Sequence, residues 1–524
     1  MLVRDVGAVS QRHFPETLIR AIAIDIPSTH PVDSSASLIR LRALLIFSVI
    51  FFSYAYFYEG GGWNQNSRLD MVRAIVEQGT LRIDAYHQNT EDKVFANGHY
   101  YSDKAPGLAL LAVPIAEVTR TILRALNIDP VSPRGLIDLA YFLNLFAVAL
   151  PLAAACVCLF WIAMALGGSA HASAFSAVAL GLATPMWAYS TLFWGHALAA
   201  ACLVFAFACA LKLRGHAGSA GDFVWGLALG VAAGWATVTE YPSAPASAVI
   251  AFLALALVWR EGMQRRLRVL LGIGAGALPC LVVLMLYQHA AFGSIFHPSY
   301  AYYPPGAFSW MKHGYMGLTY PRIDVALKLL FGCRRGLLFS GPVLLAGPFG
   351  LRWLWKQPSS HAPAMAAALI AAYYFLFHAS FSSWPAGWSY GPRYMSPGLP
   401  FLALGLVPLW DQAGRVCKIV LGALAAVGVG LTLMAVSVGA QPPDEFHCPL
   451  RQFYWPSFWA GSFSLNLGSA LIPAEQGTNS VHGAFNLGEI LGLHGLASLI
   501  PLSVVWALAA VLWIWIDRNS AARW

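Results

Sequence analysis

The chain alternates long apolar runs with short polar linkers. The runs fall at about 42–58, 136–163, 174–190, 196–211, 223–239, 244–259, 269–288, 336–351, 363–381, 397–410, 418–438 and 497–516. Most approach the roughly 20 residues a helix needs to cross a bilayer. They are too long and too uniform for barrel strands, and a helix satisfies its own backbone in lipid. The pattern therefore predicts an all-α polytopic bundle of about twelve spans, some shortened or kinked by Pro. Residues 105–125 form a further apolar stretch, but Glu117, Arg120 and Arg124 recur in it at helical spacing. That spacing predicts an amphipathic helix lying at the membrane interface. One more span there would invert everything after it.

Charge settles the orientation. The linkers 211–222, 259–268, 352–362 and 411–418 and the tail 517–524 carry Lys and Arg, as do Arg4, Arg12, Arg20, Arg40 and Arg42 before the first span. The short opposite linkers 191–195, 240–243 and 382–396 hold only Arg393. The positive-inside rule then puts both termini in the cytoplasm. Residues 1–40 are polar and basic, and the first apolar run starts too late for a cleavable signal peptide. The outer face receives three long segments, 59–135, 289–335 and 439–496. Long loops in a compact protein usually carry function. The resulting division is a cytoplasmic segment 1–41, a transmembrane core 42–438, an outer cap 439–496, and a last helix with tail 497–524.

Composition agrees and excludes other classes. Charged residues make up 11 % of the 524 residues, against about 25 % in soluble domains. The net charge of +8 sits in clusters between apolar runs, which reads as membrane orientation and not as a nucleic-acid surface. Cys156 and Cys158 lie inside an apolar run, where free Cys acts as a small hydrophobe. The outer histidines His297, His313, His447, His482 and His494 show no tight ligand spacing, so no metal ligands are assigned, although a divalent ion would suit the acidic loop. No internal repeat stands out, which weakens a transporter reading.

The first outer loop concentrates the acids: Glu59, Asp70, Glu77, Asp84, Glu91, Asp92 and Asp103. SRLDMVRAIVEQG reads as a helix stopped by Gly79. Several motifs recur along the chain: EQGTL, YYSDKAPG with Tyr101, ATPMWAYSTLFWGH (183–196), CRRGLLFSGPVLL (333–345) and WPAGWSYGPRYMSPGLPFL (384–402). Together with the topology they resemble the GT-C superfamily of lipid-dependent membrane glycosyltransferases, which includes protein O-mannosyltransferases and the lipid A aminoarabinose transferase. The resemblance implies a bacterial inner-membrane enzyme with its site facing the periplasm. It would move a sugar from a polyprenyl-phosphate donor to an envelope glycan, lipid or protein. The runner-up readings are a polymerase or ligase using a diphosphate-linked donor, and a non-catalytic flippase or binding protein.

In the family, an acid sits fifteen residues before the Gly that ends the first-loop helix; here that position is Asn64. An amide is no general base, so the expectation moves to Asp70, the nearest acid of the same helix. Asp84 and Asp92, on a strand-turn stretch, would bind acceptor or a divalent ion, or stand solvated in a turn. Asp103 would serve as base or pair with an Arg. It should point away from Lys104 on an extended chain. Lys104 matches a family lysine beside the donor phosphate.

Among the span mouths, Arg393 suits phosphate, with Trp384, Trp388, Tyr390 and Tyr394 as sugar-facing or interfacial aromatics. Arg334 and Arg335 would hold phosphate or anchor the chain. Glu240 is an acid at membrane depth, which normally faces a cavity or a partner. His196 opens a span on the same face and would contact substrate or serve structure. Cys333 and Cys448 are the two cysteines expected outside, where an oxidising compartment would let them pair.

Overall fold

The computed structural model describes residues 33–215, 218–304, 307–474 and 479–521. Arg4, Arg12, Arg20 and Arg523, and the reading of residues 1–32 as a segment without a signal peptide, lie outside the described residues. In chain order the main helices are α1 Asp33–Ala55, α2 Trp63–Gln78, α3 Gly107–Ala125, α4 Pro133–Ala165, α5 Ala170–Leu182, α6 Gly195–Lys212, α7 Gly218–Thr239, α8 Tyr241–Leu257, α9 Met263–Phe292, α10 Ile323–Phe331, α11 Gly347–Trp355, α12 His361–Ala379, α13 Arg415–Val438 and α14 Ile500–Ala521.

The apolar runs become helices of three kinds. Among the described residues eight, α1, α4, α6, α7, α9, α12, α13 and α14, are long and apolar enough to cross a membrane. α5 and α8 are shorter apolar helices. Runs 336–351 and 397–410 break into short pieces, Pro342–Ala346 before α11, and Leu399–Ala403 followed by Leu406–Gln412. Pro342 and Pro400 stand in the first turns of their pieces, where a missing N–H is tolerated but a helix cannot continue through from the preceding turn. α3 is not among the long spans: its inner face buries Leu108, Ala112 and Ala116 while Val118 and Ile122 stay exposed.

α7 and α9 pack with almost no gap. A Cβ on Gly230 would meet the Ile273 carbonyl at 2.2 Å, and one on Gly276 would meet that of Leu227 at 2.1 Å. Small residues let two apolar helices approach this closely where the hydrophobic effect offers no drive between them. One end of the bundle carries ion pairs between helices, Arg42 with Asp517 at 2.7 Å and Arg265 with Asp222 at 2.9 Å.

The three long segments 59–135, 289–335 and 439–496 interlock at the other end. In the first, α2 is followed by an antiparallel hairpin, Lys93–Ala96 with His99–Ser102, and then by α3. The last segment returns over it. Phe57–Tyr58 pairs with Phe485–Asn486, and the Gly62 N–H donates to the Ser469 carbonyl at 2.7 Å. A Cys333–Cys448 disulfide, with Cα atoms 4.9 Å apart, ties this last segment to the middle one. Segment 439–496 is thus bound to both of the other loops.

Candidate active site

The interlocked loops and the adjoining span ends enclose a cavity of about 930 Å³. α2 forms one wall. Its first turn needs Gly62 at φ 87°, a left-handed conformation that also leaves room for the Gln441 side chain. Asn64 and Arg68, four residues apart and so on one helix face, line the cavity. Asp70 does not. Six residues on from Asn64 is about 240° round the helix. Asp70 is fully buried on the far side, where Oδ1 accepts from Asn89 at 3.3 Å and Oδ2 has no partner. Burial pushes its carboxyl well above the usual range. A base must reach the acceptor proton, and this position does not offer that.

The hairpin supplies the opposite wall. Its second strand ends at Ser102, so the chain is no longer extended at Asp103 and Lys104, and the two side chains do not diverge. Lys104 folds back, with Nζ 2.7 Å from Asp92 and 2.9 Å from Asp103. All three line the cavity. The Lys104 side chain occupies the place between two carboxylates that a divalent cation would take. Burial pulls its ammonium down, but Asp103 and Asp92 outweigh that and the net shift is upward, so Lys104 stays charged. Asp103 is held deeply. Its side chain is 1 % exposed, Tyr303 donates to it at 2.5 Å, and burial raises its carboxyl despite Lys104. The Asp92 side chain is 12 % exposed and open to the cavity.

Arg393 and the α7–α8 corner complete the ring. Arg393 stacks over Trp194 and Tyr394, each ring centre 5.0 Å away, and donates to the Tyr394 hydroxyl at 3.1 Å. Among the described residues no carboxylate lies within 4.0 Å of it, and its buried Nε has no acceptor. Glu240 bonds Arg68 at 2.9 Å, with His196 Nδ1 at 3.6 Å. Burial raises the Glu240 carboxyl against the pull of Arg68. Gly195 makes this pair fit, since a Cβ there would lie 2.3 Å from Glu240 Oε1.

Other expected positions fall elsewhere. Asp84 caps the hairpin at the surface, accepting from the Tyr100 N–H and contacting His99 Nδ1, both at 2.7 Å. Tyr101 packs edge-on against Phe292 behind the wall. Trp388 lines the cavity, whereas Trp384 sits under Lys328 and Tyr390 packs on Tyr454. Arg334 and Arg335 both turn to Asp444, at 3.2 and 3.0 Å, and hold the last segment in place. They do not line the cavity; Asp444 does. Among the described residues no group of three or more His, Cys, Asp or Glu is placed to hold a metal ion.

Arg68, Trp194 and Tyr303 were not foreseen. The signal for Arg68 was available, because it stands one helical turn after Asn64. Trp194 lies in the motif 183–196 without being singled out within it, and Tyr303 reaches the cavity from a distant segment with no local pattern.

Among solved structures the chain is similar to ArnT from Cupriavidus metallidurans, crystallised with undecaprenyl phosphate. The TM-score is 0.50 at 18 % identity, over 82 % of this chain and 70 % of that one. The chain has the GT-C fold. The Archaeoglobus fulgidus oligosaccharyltransferase in its apo form also aligns, over 84 % of this chain and 61 % of that one, with TM-score 0.44 at 13 % identity. No protein-family model and no curated protein matches the chain. With the GT-C fold and eight apolar helices among the described residues, it is a multi-pass membrane protein.

Proposed function

We propose that this GT-C protein transfers a sugar from a polyprenyl-phosphate donor to an envelope glycan, lipid or protein at the periplasmic face of a bacterial inner membrane. The observation that carries this reading is the presence of Arg393 and Asp92 in one cavity. Arg393 is half-buried and has no carboxylate partner among the described residues, and its buried Nε has no acceptor there. Such a cation calls for an anion from outside the chain, and a bidentate fork suits phosphate. Lys104 lines the same cavity and adds a second positive charge.

Asp92 is assigned as the base in place of Asp70. The acceptor oxygen attacks the anomeric carbon while Asp92 takes the hydroxyl proton. The bond from that carbon to the phosphate oxygen breaks, its electron pair stays on the phosphate, and polyprenyl phosphate leaves. Arg393 and Lys104 stabilise the charge that grows on it. Phosphate is a good leaving group, so no strong acid is needed on its side. The ionisable groups collect in one end cavity and not along a path through the spans, which supports transfer over flipping. The basic linkers at the other end support the periplasmic placement.

The test is transfer by purified protein, with a pool of polyprenyl-phosphate sugars and envelope extracts as acceptors. Asp92→Asn should lower turnover by about 10²-fold or more while donor binding persists. Unchanged turnover in Asp92→Asn would overturn the assignment of the base. Donor binding without any turnover in the wild type would favour a binding protein.

A further inference from the structure

We infer that Asn64, His196 and Glu240 form a subsite for a hydroxyl-bearing sugar without a carboxylate. The inference rests on the donor reading above and deepens it by naming the class of sugar.

The three residues come from α2, the start of α6 and the α7–α8 corner, and all line the cavity shared with Arg393 and Lys104. Each has hydrogen-bonding capacity left over. His196 is 5 % exposed, and among the described residues its buried Nε2 has no partner. Trp194 Nε1, which also lines the cavity, is a second buried polar group with none among those residues. Asn64 spends Oδ1 on Arg68, which leaves its amide N–H groups. Glu240 receives Arg68 on Oε1, and among the described residues Oε2 takes no hydrogen bond. Buried polar groups left unpaired are costly, and a ligand that pairs them recovers that cost. A hydroxyl both donates and accepts. It donates to Glu240 Oε2, accepts from the Asn64 amide, and meets His196 Nε2 in either tautomer.

The charges around the subsite decide the class. Arg68 balances Glu240 at 2.9 Å, and Lys104 faces Asp92 and Asp103. That leaves Arg393 for the single negative charge of a phosphodiester. A carboxylate on the sugar would meet Glu240 and Asp92 with no spare cation. A buried charge without a counter-charge is strongly disfavoured. A sugar without a carboxylate avoids that conflict.

The test uses the full chain in lipid nanodiscs and reads Kd for three kinds of probe. These are undecaprenyl methyl phosphate, which keeps the diester charge without a sugar, a set of neutral glucosyl, mannosyl and galactosyl esters, and the matching uronosyl esters. At least one neutral ester should bind about tenfold or more tightly than the methyl ester, the size of one hydrogen bond to a charged group. Each uronosyl ester should bind more weakly than its neutral parent. Glu240→Gln and His196→Ala should each cut the ratio between neutral and methyl esters to about threefold or less. The wild-type comparison stands even where a variant does not fold. Methyl and hexosyl esters bound equally, or a uronosyl ester bound more tightly than its parent, would overturn the subsite and leave the donor reading intact. No binding of any probe would overturn both.

Discussion

The guanidinium of Arg68 and the carboxylate of Glu240 meet at 2.9 Å across 172 residues of sequence, with Gly195 packed against both. Any side chain at 195 would have to displace them, since a Cβ would lie 2.3 Å from Glu240 Oε1 and 3.1 Å from an Arg68 terminal nitrogen. Gly195→Ala should therefore lower transfer by about 10- to 100-fold, the usual effect of a misplacement near 1 Å. Tm should fall as well, because the displaced pair is buried. A fully active Gly195→Ala protein would show that this pair has no part in the chemistry.

Asp70 offers the opposite case. Burial raises its carboxyl well above its unfolded value. The stability linked to that proton is fully present below the unfolded pKa and is lost as pH rises through the folded one. At pH 7 the carboxylate is thus a burden on the fold, and an amide removes it. Asp70→Asn should keep transfer within about threefold of wild type, because the group does not line the cavity. Its Tm should be equal or higher at pH 7, with the difference shrinking toward pH 4. Melting curves across that range, read beside turnover, check both parts.

Glu59 clamps the first long segment, 59–135, to the last, 439–496. It accepts from the Ala440 N–H at 2.5 Å and from Gln441 Nε2 at 2.9 Å. Burial pushes its carboxyl up to about 7, against the pull of those bonds. The contribution is complete below the ordinary carboxylate range and is lost as pH rises through about 7. Wild-type Tm should therefore fall as pH rises from about 5 to about 7 and level off above that. Glu59→Gln should flatten that slope, as read by scanning fluorimetry at stepped pH.

The Cys333–Cys448 disulfide closes a loop with a sequence separation of 115 residues. Cross-links of this kind contribute about 2–4 kcal/mol by restricting the unfolded chain. It also sits beside Arg334, Arg335 and Asp444, which fix the segment that brings Gln441 and Asp444 to the cavity. Cys448→Ser should lower Tm and raise protease cleavage within 440–474, and dithiothreitol should do the same to the wild type but not to the variant. Equal melting in all three would remove the disulfide from the account.

Much of this was legible from the chain. The apolar runs marked the helices because a bilayer demands length and continuous apolarity. The loop acids, Lys104, Arg393, Glu240 and His196 stood out as charged or polar groups at the mouths of spans. Less legible was which acid faces the cavity. Asp70, Asp84, Asp92 and Asp103 share one loop and one residue type. Only helix phase hides Asp70, and only a strand ending at Ser102 turns Lys104 back onto Asp92. Arg334 and Arg335 were equally ambiguous until Asp444, more than a hundred residues on, took both.

By itself the sequence determined a polytopic helical protein with a polar, acid-rich set of long loops, because hydropathy and charge act residue by residue along the chain. The tertiary structure alone decided which of those polar groups share a cavity, which are spent on each other, and which, like Arg393 Nε and His196 Nε2, keep a buried nitrogen unpaired among the described residues. Pairing between groups far apart in the chain depends on where three separate loops cross, and no local pattern encodes that crossing.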